Sequence, residues 1–245
     1  MIEVVDLHKT LGPQQVLRGV DLRIESGKTH VVLGRSGSGK SVLLKHLVGL
    51  FQPDAGRVLV DGEDISKLEE RQLGPIRKKI GILFQSGALF DSMSVGENIA
   101  FPLRESGVHD EAAIWERVAG ALEMVDLAGE EAKMPENLSG GMRKRVGLAR
   151  TIVSRPACIL YDEPTTGLDP IATDSINHLI RRLQRRLQAT SVVVTHDMKT
   201  AFHTADRIAF LHEGRIYFEG TVEELRASKD PILENFIEGR SGESD

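Results

Sequence analysis

Short apolar runs rich in β-branched residues alternate along this chain with stretches whose apolar positions recur every three to four residues. That alternation predicts a mostly parallel sheet covered by helices. Residues 29–34 (THVVLG) form the first run that reads as a buried strand, and residues 41–50 (SVLLKHLVGL) read as the helix that follows it. KIGILF (79–84), CILYD (158–162) and SVVVTH (191–196) read as further central strands. Ahead of them, IEVVDL and VLRGVDLRI, together with RVLVDG (57–62), predict antiparallel strands of a smaller sheet.

Between about residues 86 and 155 helical spacing replaces the strand signals, and Ile114, Val118, Leu122 and Val125 fall on one helical face. This stretch is expected to be an inserted helical subdomain. A later helix starts at Asp169–Pro170, an N-cap followed by a first-turn proline, with Ile176, Ile180, Leu183 and Leu187 along one face. Its RRLQRR cluster reads as the solvated side. The polar end EGRSGESD is expected to fray.

Composition narrows the class. At 245 residues, with 40% hydrophobic and 27% charged residues, the chain is a globular domain and neither a stapled peptide nor a disordered segment. Against 36 acidic residues stand 31 basic ones, a net charge of -5 that argues against nucleic acid as a partner held by the overall field. The single cysteine, Cys158, lies in an apolar strand and points to a reducing compartment, the cytosol. Apolar runs of about five residues fall far short of the roughly 20 that span a bilayer, and MIEVVDLHKT lacks the basic segment, apolar run and small-residue cleavage site of a signal peptide. A role at a membrane therefore has to come through a partner.

Two stretches carry chemistry. GRSGSGKS (34–41) has the G-x-x-x-x-G-K-S spacing of a phosphate-binding loop and lies between a strand and a helix. Gly34, Gly37 and Gly39 allow torsions and approaches that a Cβ forbids. Backbone amides through Arg35, Ser36 and Ser38 can then converge on phosphate oxygens. Lys40 supplies a charge for the terminal phosphates, and Ser41 a hydroxyl for Mg2+. The second stretch, CILYDE (158–163), ends an apolar strand in two carboxylates, a costly place for charge without a cation or a reacting group. Asp162 suits the outer sphere of Mg2+, and Glu163 can polarise an attacking water.

A third motif lies 23 residues before Asp162 (162 − 139): LSGGM, residues 138–142. With it the sequence resembles the ATPase subunits of ABC transporters over about residues 1–228, leaving residues 229–245 as a tail. The resemblance implies an α/β fold: a P-loop NTPase cassette with a RecA-like core, an antiparallel β subdomain and the inserted helical subdomain. It also implies that Ser139, Gly140 and Gly141 bind the γ-phosphate held by an opposite subunit; Met142 replaces the usual glutamine. Gln85 matches the Q-loop, whose glutamine reaches Mg2+ and the water, so that Ser41, Gln85 and Asp162 form the metal set. In GLDP (167–170), Asp169 matches the D-loop, a dimer contact. His196, the one histidine of eight that reads as ending a central strand beside an acid, matches the switch histidine that hydrogen-bonds the γ-phosphate, while the remaining histidines read as surface or packing residues. Catalysis would rest on Glu163, His196 and Gln85, with ATP and Mg2+ as cofactors. Leu11 stands where the family usually carries an aromatic ring under the adenine, so base selection is expected to be loose and GTP stays open.

In that family two cassettes pair head to tail and drive a separate permease. This chain is therefore expected to form such a dimer at the cytoplasmic face of the inner membrane, as a peripheral subunit. QSGALFDSMSVGENIAFPLRE (85–105), SGGMRKRVGLAR and the tail DPILENFIEG (230–239) are particularly similar to Mla-type, MCE-associated lipid transporters. That similarity implies phospholipid cargo, an MCE-domain subunit and a small regulatory subunit. In the tail Ile232, Leu233, Phe236 and Ile237 form an apolar stripe, suited either to packing on its own domain or to a partner. The competing readings are a solute importer, a drug exporter, a lipoprotein-release ATPase or a non-transport ATPase. Only 99 residues separate Lys40 from Ser139 (139 − 40), too few for the long coiled coils of chromosome-maintenance relatives.

Overall fold

A computed structural model describes residues 2–240. Its strands are β1 (Ile2–Leu11), β2 (Gln14–Ile24), β3 (Thr29–Leu33), β4 (Ala55–Val60), β5 (Glu63–Asp64), β6 (Ile80–Leu83), β7 (Cys158–Asp162), β8 (Thr190–Thr195), β9 (Arg207–His212) and β10 (Arg215–Gly220). Among the described residues they form a four-stranded antiparallel sheet ordered β2-β1-β4-β5 and a six-stranded sheet ordered β10-β9-β3-β8-β7-β6. All neighbours in the larger sheet are parallel except the terminal β9–β10 pair. The helices are α1 (Lys40–Leu47), α2 (Gly74–Lys79), α3 (Val95–Glu105), α4 (Glu111–Met124), α5 (Gly140–Ile152), α6 (Pro170–Leu187), α7 (Met198–Thr204), α8 (Val222–Ala227) and α9 (Pro231–Glu238).

Alternate residues of β3 face two separate cores. Val31 and Leu33 join Ile99, Ile114 and Val118 of the helical stretch, whereas Val32 joins Leu43 of α1 and Leu17 of β2. This period-two division is what a strand covered on both faces requires. The stripe of α4 is buried as its spacing predicts, with Ile114, Val118 and Leu122 at 0% exposure and Val125 capping the helix end. Asp110 caps its start by accepting from Ala112 and Ala113 amides. Each such aliphatic side chain contributes about 1.5–3 kcal/mol. A carboxylate at Val118 would break this packing.

Several details differ from the expected pattern. The larger sheet has two strands, β9 and β10, beyond the four read from the sequence, and the smaller sheet one, β5, beyond its three. The first helix starts at Lys40, inside the glycine-rich loop, and stops at Leu47, because Gly49 (φ 66) leaves helical torsions. And the RRLQRR segment is not wholly solvated: Arg181 pairs with Asp206 at 2.9 Å, Arg182 with Asp126 at 2.6 Å, and Gln184 is buried. The tail helix α9 lies on its own domain, with Leu233 buried and the Phe236 ring 4.8 Å from that of Phe210 on β9; Ile232 stays exposed. The end of EGRSGESD, residues 241–245, lies outside the described residues. Cys158 is buried at the start of β7, and burial pushes its thiol up to about 12.

Registers place the chemistry. Leu33 of β3 pairs with Thr195 of β8, and Asp162 of β7 pairs with Val194. Three strands thus end side by side, and the loop after β3, Glu163 after β7 and His196 after β8 meet at one edge, where open α/β sheets bind ligands.

Candidate nucleotide site

The glycine-rich loop leaves β3 by turning against its surroundings. A Cβ on Gly34 would sit 2.6 Å from the Leu211 carbonyl oxygen, and one on Gly39 (φ 103) 2.9 Å from Val16 Cγ1. Only glycine lets the chain pass here. Gly39 is the N-cap of α1 without a side-chain hydrogen bond, so the first amides of that helix stay available to an anion. Lys40 is buried; its ammonium donates to the carbonyls of Gly34 (2.9 Å) and Arg35 (3.0 Å) and lies 3.3 Å from Glu163 Oε1.

Ser41 Oγ donates to Asp162 Oδ1 at 2.7 Å, joining helix α1 to the end of β7. Glu163 follows with φ 48, in the left-handed region, its amide donating to the Val194 carbonyl at 2.9 Å. A non-glycine residue there stores strain that the pairing with β8 holds in place. His196 Nδ1 lies 2.9 Å from Glu163 Oε2, and the hydroxyls of Thr166 and Thr195 donate to the same oxygen at 3.3 and 3.4 Å. The two carboxylate oxygens thus divide their partners: Lys40 on one, His196 and two threonines on the other.

Gln85 sits in the turn after β6, exposed, and among the described residues its side chain joins none of these bonds. Its carbonyl is held instead by Lys144 of α5, whose ammonium also donates to the Glu163 carbonyl at 3.4 Å. Burial pushes the Lys144 ammonium down from its ordinary value, against the pull of Asp162 and Glu163. Lys144 is missing from the sequence-derived site. It lies in a basic run, MRKR, that reads as solvated, and only the helix phase beside buried Val146 and Leu148 hints otherwise.

Ser139, Gly140 and Gly141 open α5 in a separate place. Ser139 is its N-cap, accepting from the Met142 amide at 3.2 Å. A Cβ on Gly140 would lie 3.6 Å from Leu168 Cδ2, so this helix start is packed beside the turn leading to Asp169. Asp169 caps α6 by accepting from Ile171 and Ala172 amides, both at 2.9 Å. Leu11, at the end of β1, is partly exposed at 39%. Of the other histidines, His30 and His46 are buried, and His212 likewise ends a strand beside an acid, Glu213, so that His196 is not alone in this setting.

The residues present fit a magnesium nucleotide. Ser38 Oγ is buried in the loop without a hydrogen-bond partner among the described residues, an atom that a phosphate oxygen would satisfy. Ser41 and Asp162 offer the hard oxygen donors that Mg2+ takes.

The model of the ABC transporter family matches residues 17–166. The chain belongs to that family. This cassette is an ATP-binding subunit of an ABC transporter, and it hydrolyses ATP. It is 43% identical over 239 residues to a probable ribonucleotide transport ATP-binding protein of Mycobacterium leprae, covering 98% of this chain and 69% of that one. To the intermembrane phospholipid transport system ATP-binding protein of Haemophilus influenzae it is 42% identical over 241 residues, covering 98% and 91%. Its fold matches the dimeric ATP-binding cassette MJ0796 in a post-hydrolysis state bound to ADP and Pi, with a TM-score of 0.83 and 32% identity over 91% of this chain and 99% of that one. No helix among the described residues is long and apolar enough to cross a membrane.

Proposed function

We propose that this cassette powers phospholipid transport across the cell envelope, as one half of a head-to-tail dimer docked on a membrane permease at the cytoplasmic face of the inner membrane. The near end-to-end similarity to the Haemophilus influenzae phospholipid transport protein carries this reading. An MCE-domain subunit and a small regulatory subunit complete the assembly.

At the site, the loop from Gly34 to Ser41 binds the phosphates of ATP, and Lys40 leaves Glu163 to neutralise them. Ser41, Asp162 and Gln85 hold Mg2+, which supplies charge neutralisation on the transferring phosphoryl group. Glu163, freed of Lys40, orients the attacking water, and His196 fixes the carboxylate through its 2.9 Å bond. Ser139, Gly140 and Gly141 of the opposite copy meet the γ-phosphate, with the α5 N-terminus as the anion-binding end. Asp169 adds the dimer contact. Hydrolysis removes the charge that bridges the copies, which couples chemistry to opening.

The permease docks in the cleft of about 790 Å3 between α2, β6, α3 and α5, where Phe84, Phe90, Phe101 and Arg150 line the wall. Arg150 donates to the Gly87 and Ala88 carbonyls, both at 2.9 Å, so movement of the Gln85 turn is transmitted there.

Affinity purification from native membranes, followed by mass spectrometry of proteins and extracted lipids, tests the cargo. A permease with an MCE-domain subunit and bound phospholipid is the expected result. A permease with a solute-binding protein and no enriched lipid would instead give this cassette a water-soluble cargo such as a ribonucleotide.

A further inference from the structure

We propose that Asp174, His178 and His203 form a site for a transition-metal ion of the zinc class, bridging α6 and α7 away from the nucleotide site. Asp174 and His178 stand four residues apart on α6 and share one helical face, with His178 Nε2 3.5 Å from Asp174 Oδ2. From α7, His203 Nε2 comes within 3.2 Å of His178 Nδ1, and the two rings meet edge to face at 4.2 Å between centroids. One ligand atom from each residue lies within 4.8 Å of the others.

A tetrahedral zinc ion with bonds of about 2.0–2.1 Å sets its ligand atoms about 3.4 Å apart, so the cluster needs only side-chain adjustment to close on one. All three residues are exposed, which leaves their rotamers free to make it. Two imidazoles and a carboxylate suit zinc, copper or nickel, and are a poor set for Mg2+ or Ca2+, which take oxygen. The surroundings are rich in cations, which opposes metal binding. Part of that charge is engaged: Arg181 pairs with Asp206 and Arg182 with Asp126, while Arg226 lies over the Phe202 ring at 4.2 Å and Arg185 and Arg186 line the same hollow as His178 and His203. Lys199 shares a hollow with Asp174 and His203 and adds a further cation there.

A bound ion would tie together the helix opened by Asp169 and the helix opened by Asp197, next to His196. The site thus joins the segments that follow two of the nucleotide-site residues without using any of them.

Full-length untagged protein, stripped with EDTA and free of nucleotide, is titrated with Zn2+ by calorimetry and with Co2+ by visible absorption. Thermal midpoints are recorded for wild type, Asp174→Asn, His178→Gln, His203→Gln and the double histidine variant. One equivalent bound by wild type is expected, with affinity reduced at least about tenfold in each histidine variant. A Zn2+-dependent rise in midpoint should vanish in the double variant, while the midpoints without metal stay alike because the side chains are exposed. Equal binding by wild type and the double variant, or no binding at about micromolar Zn2+, overturns the site and leaves a plain imidazole–imidazole hydrogen bond.

Discussion

Glu163 and His196 meet at 2.9 Å across the ends of two neighbouring strands, and the other oxygen of the same carboxylate faces Lys40 at 3.3 Å. The residue proposed to orient water is therefore clasped between the proposed phosphate-binding lysine and the proposed switch histidine. Its release follows when phosphate oxygens take the lysine. In a Glu163→Gln variant, turnover should fall by about 100-fold or more, the scale of a lost general base, while ATP binding survives. Steady-state ATPase assays with equilibrium nucleotide binding measure both; unchanged turnover would falsify the role given to Glu163.

The proposed composite site makes a prediction about mixed dimers. When Lys40→Met and Ser139→Ala chains are combined, one of the two sites carries both lesions and the other carries neither. The mixture should hydrolyse ATP faster than either variant alone. If mixing restores nothing while heterodimers are seen by native mass spectrometry, Ser139 does not act across the dimer.

Lys144 is buried between the carbonyls of Gln85 and Glu163. Lys144→Met removes the donor and leaves both carbonyls without it, a loss of about 1–3 kcal/mol. The urea midpoint should drop accordingly, and turnover should drop as well, because the turn carrying Gln85 loses its tie to the end of β7. A variant as stable and active as wild type would return Lys144 to the solvated role its sequence neighbours suggest.

His30 and His46 are both held neutral. His30 Nε2 accepts from the Glu25 amide at 2.9 Å, His46 Nδ1 lies 2.8 Å from the Val42 carbonyl, and burial pulls both rings below their ordinary 6.5. Below that value the unfolded chain takes up protons that the folded chain refuses, so stability is level above about pH 6.5 and falls as pH drops toward the lowered folded values. Urea midpoints at about pH 7.5 and about pH 5.5 should show the loss, and His30→Gln/His46→Gln should lessen it. An acid sensitivity undiminished in that variant assigns the effect to other groups.

Much of this architecture was legible in the order of residues, because the signals are local. The span of β7 follows from CILYD, the buried stripe of α4 from its spacing, and the phosphate loop from glycines that a turn of this kind demands. The apolar run of β9 and the alternation of β10 carry the same kind of signal, so those strands are legible too. Long-range pairing was not legible. Glu163 and His196 stand 33 positions apart and meet only because β7 chooses β8 as its parallel neighbour. Lys144 has the look of a solvated cation until α5 turns it inward toward two carbonyls, and His178 and His203 have no reason to be neighbours until α7 packs on α6. Periodicity determines which face of an element is apolar; which element covers that face is decided by the packing of the whole chain, and the distances on which the chemistry depends are set there.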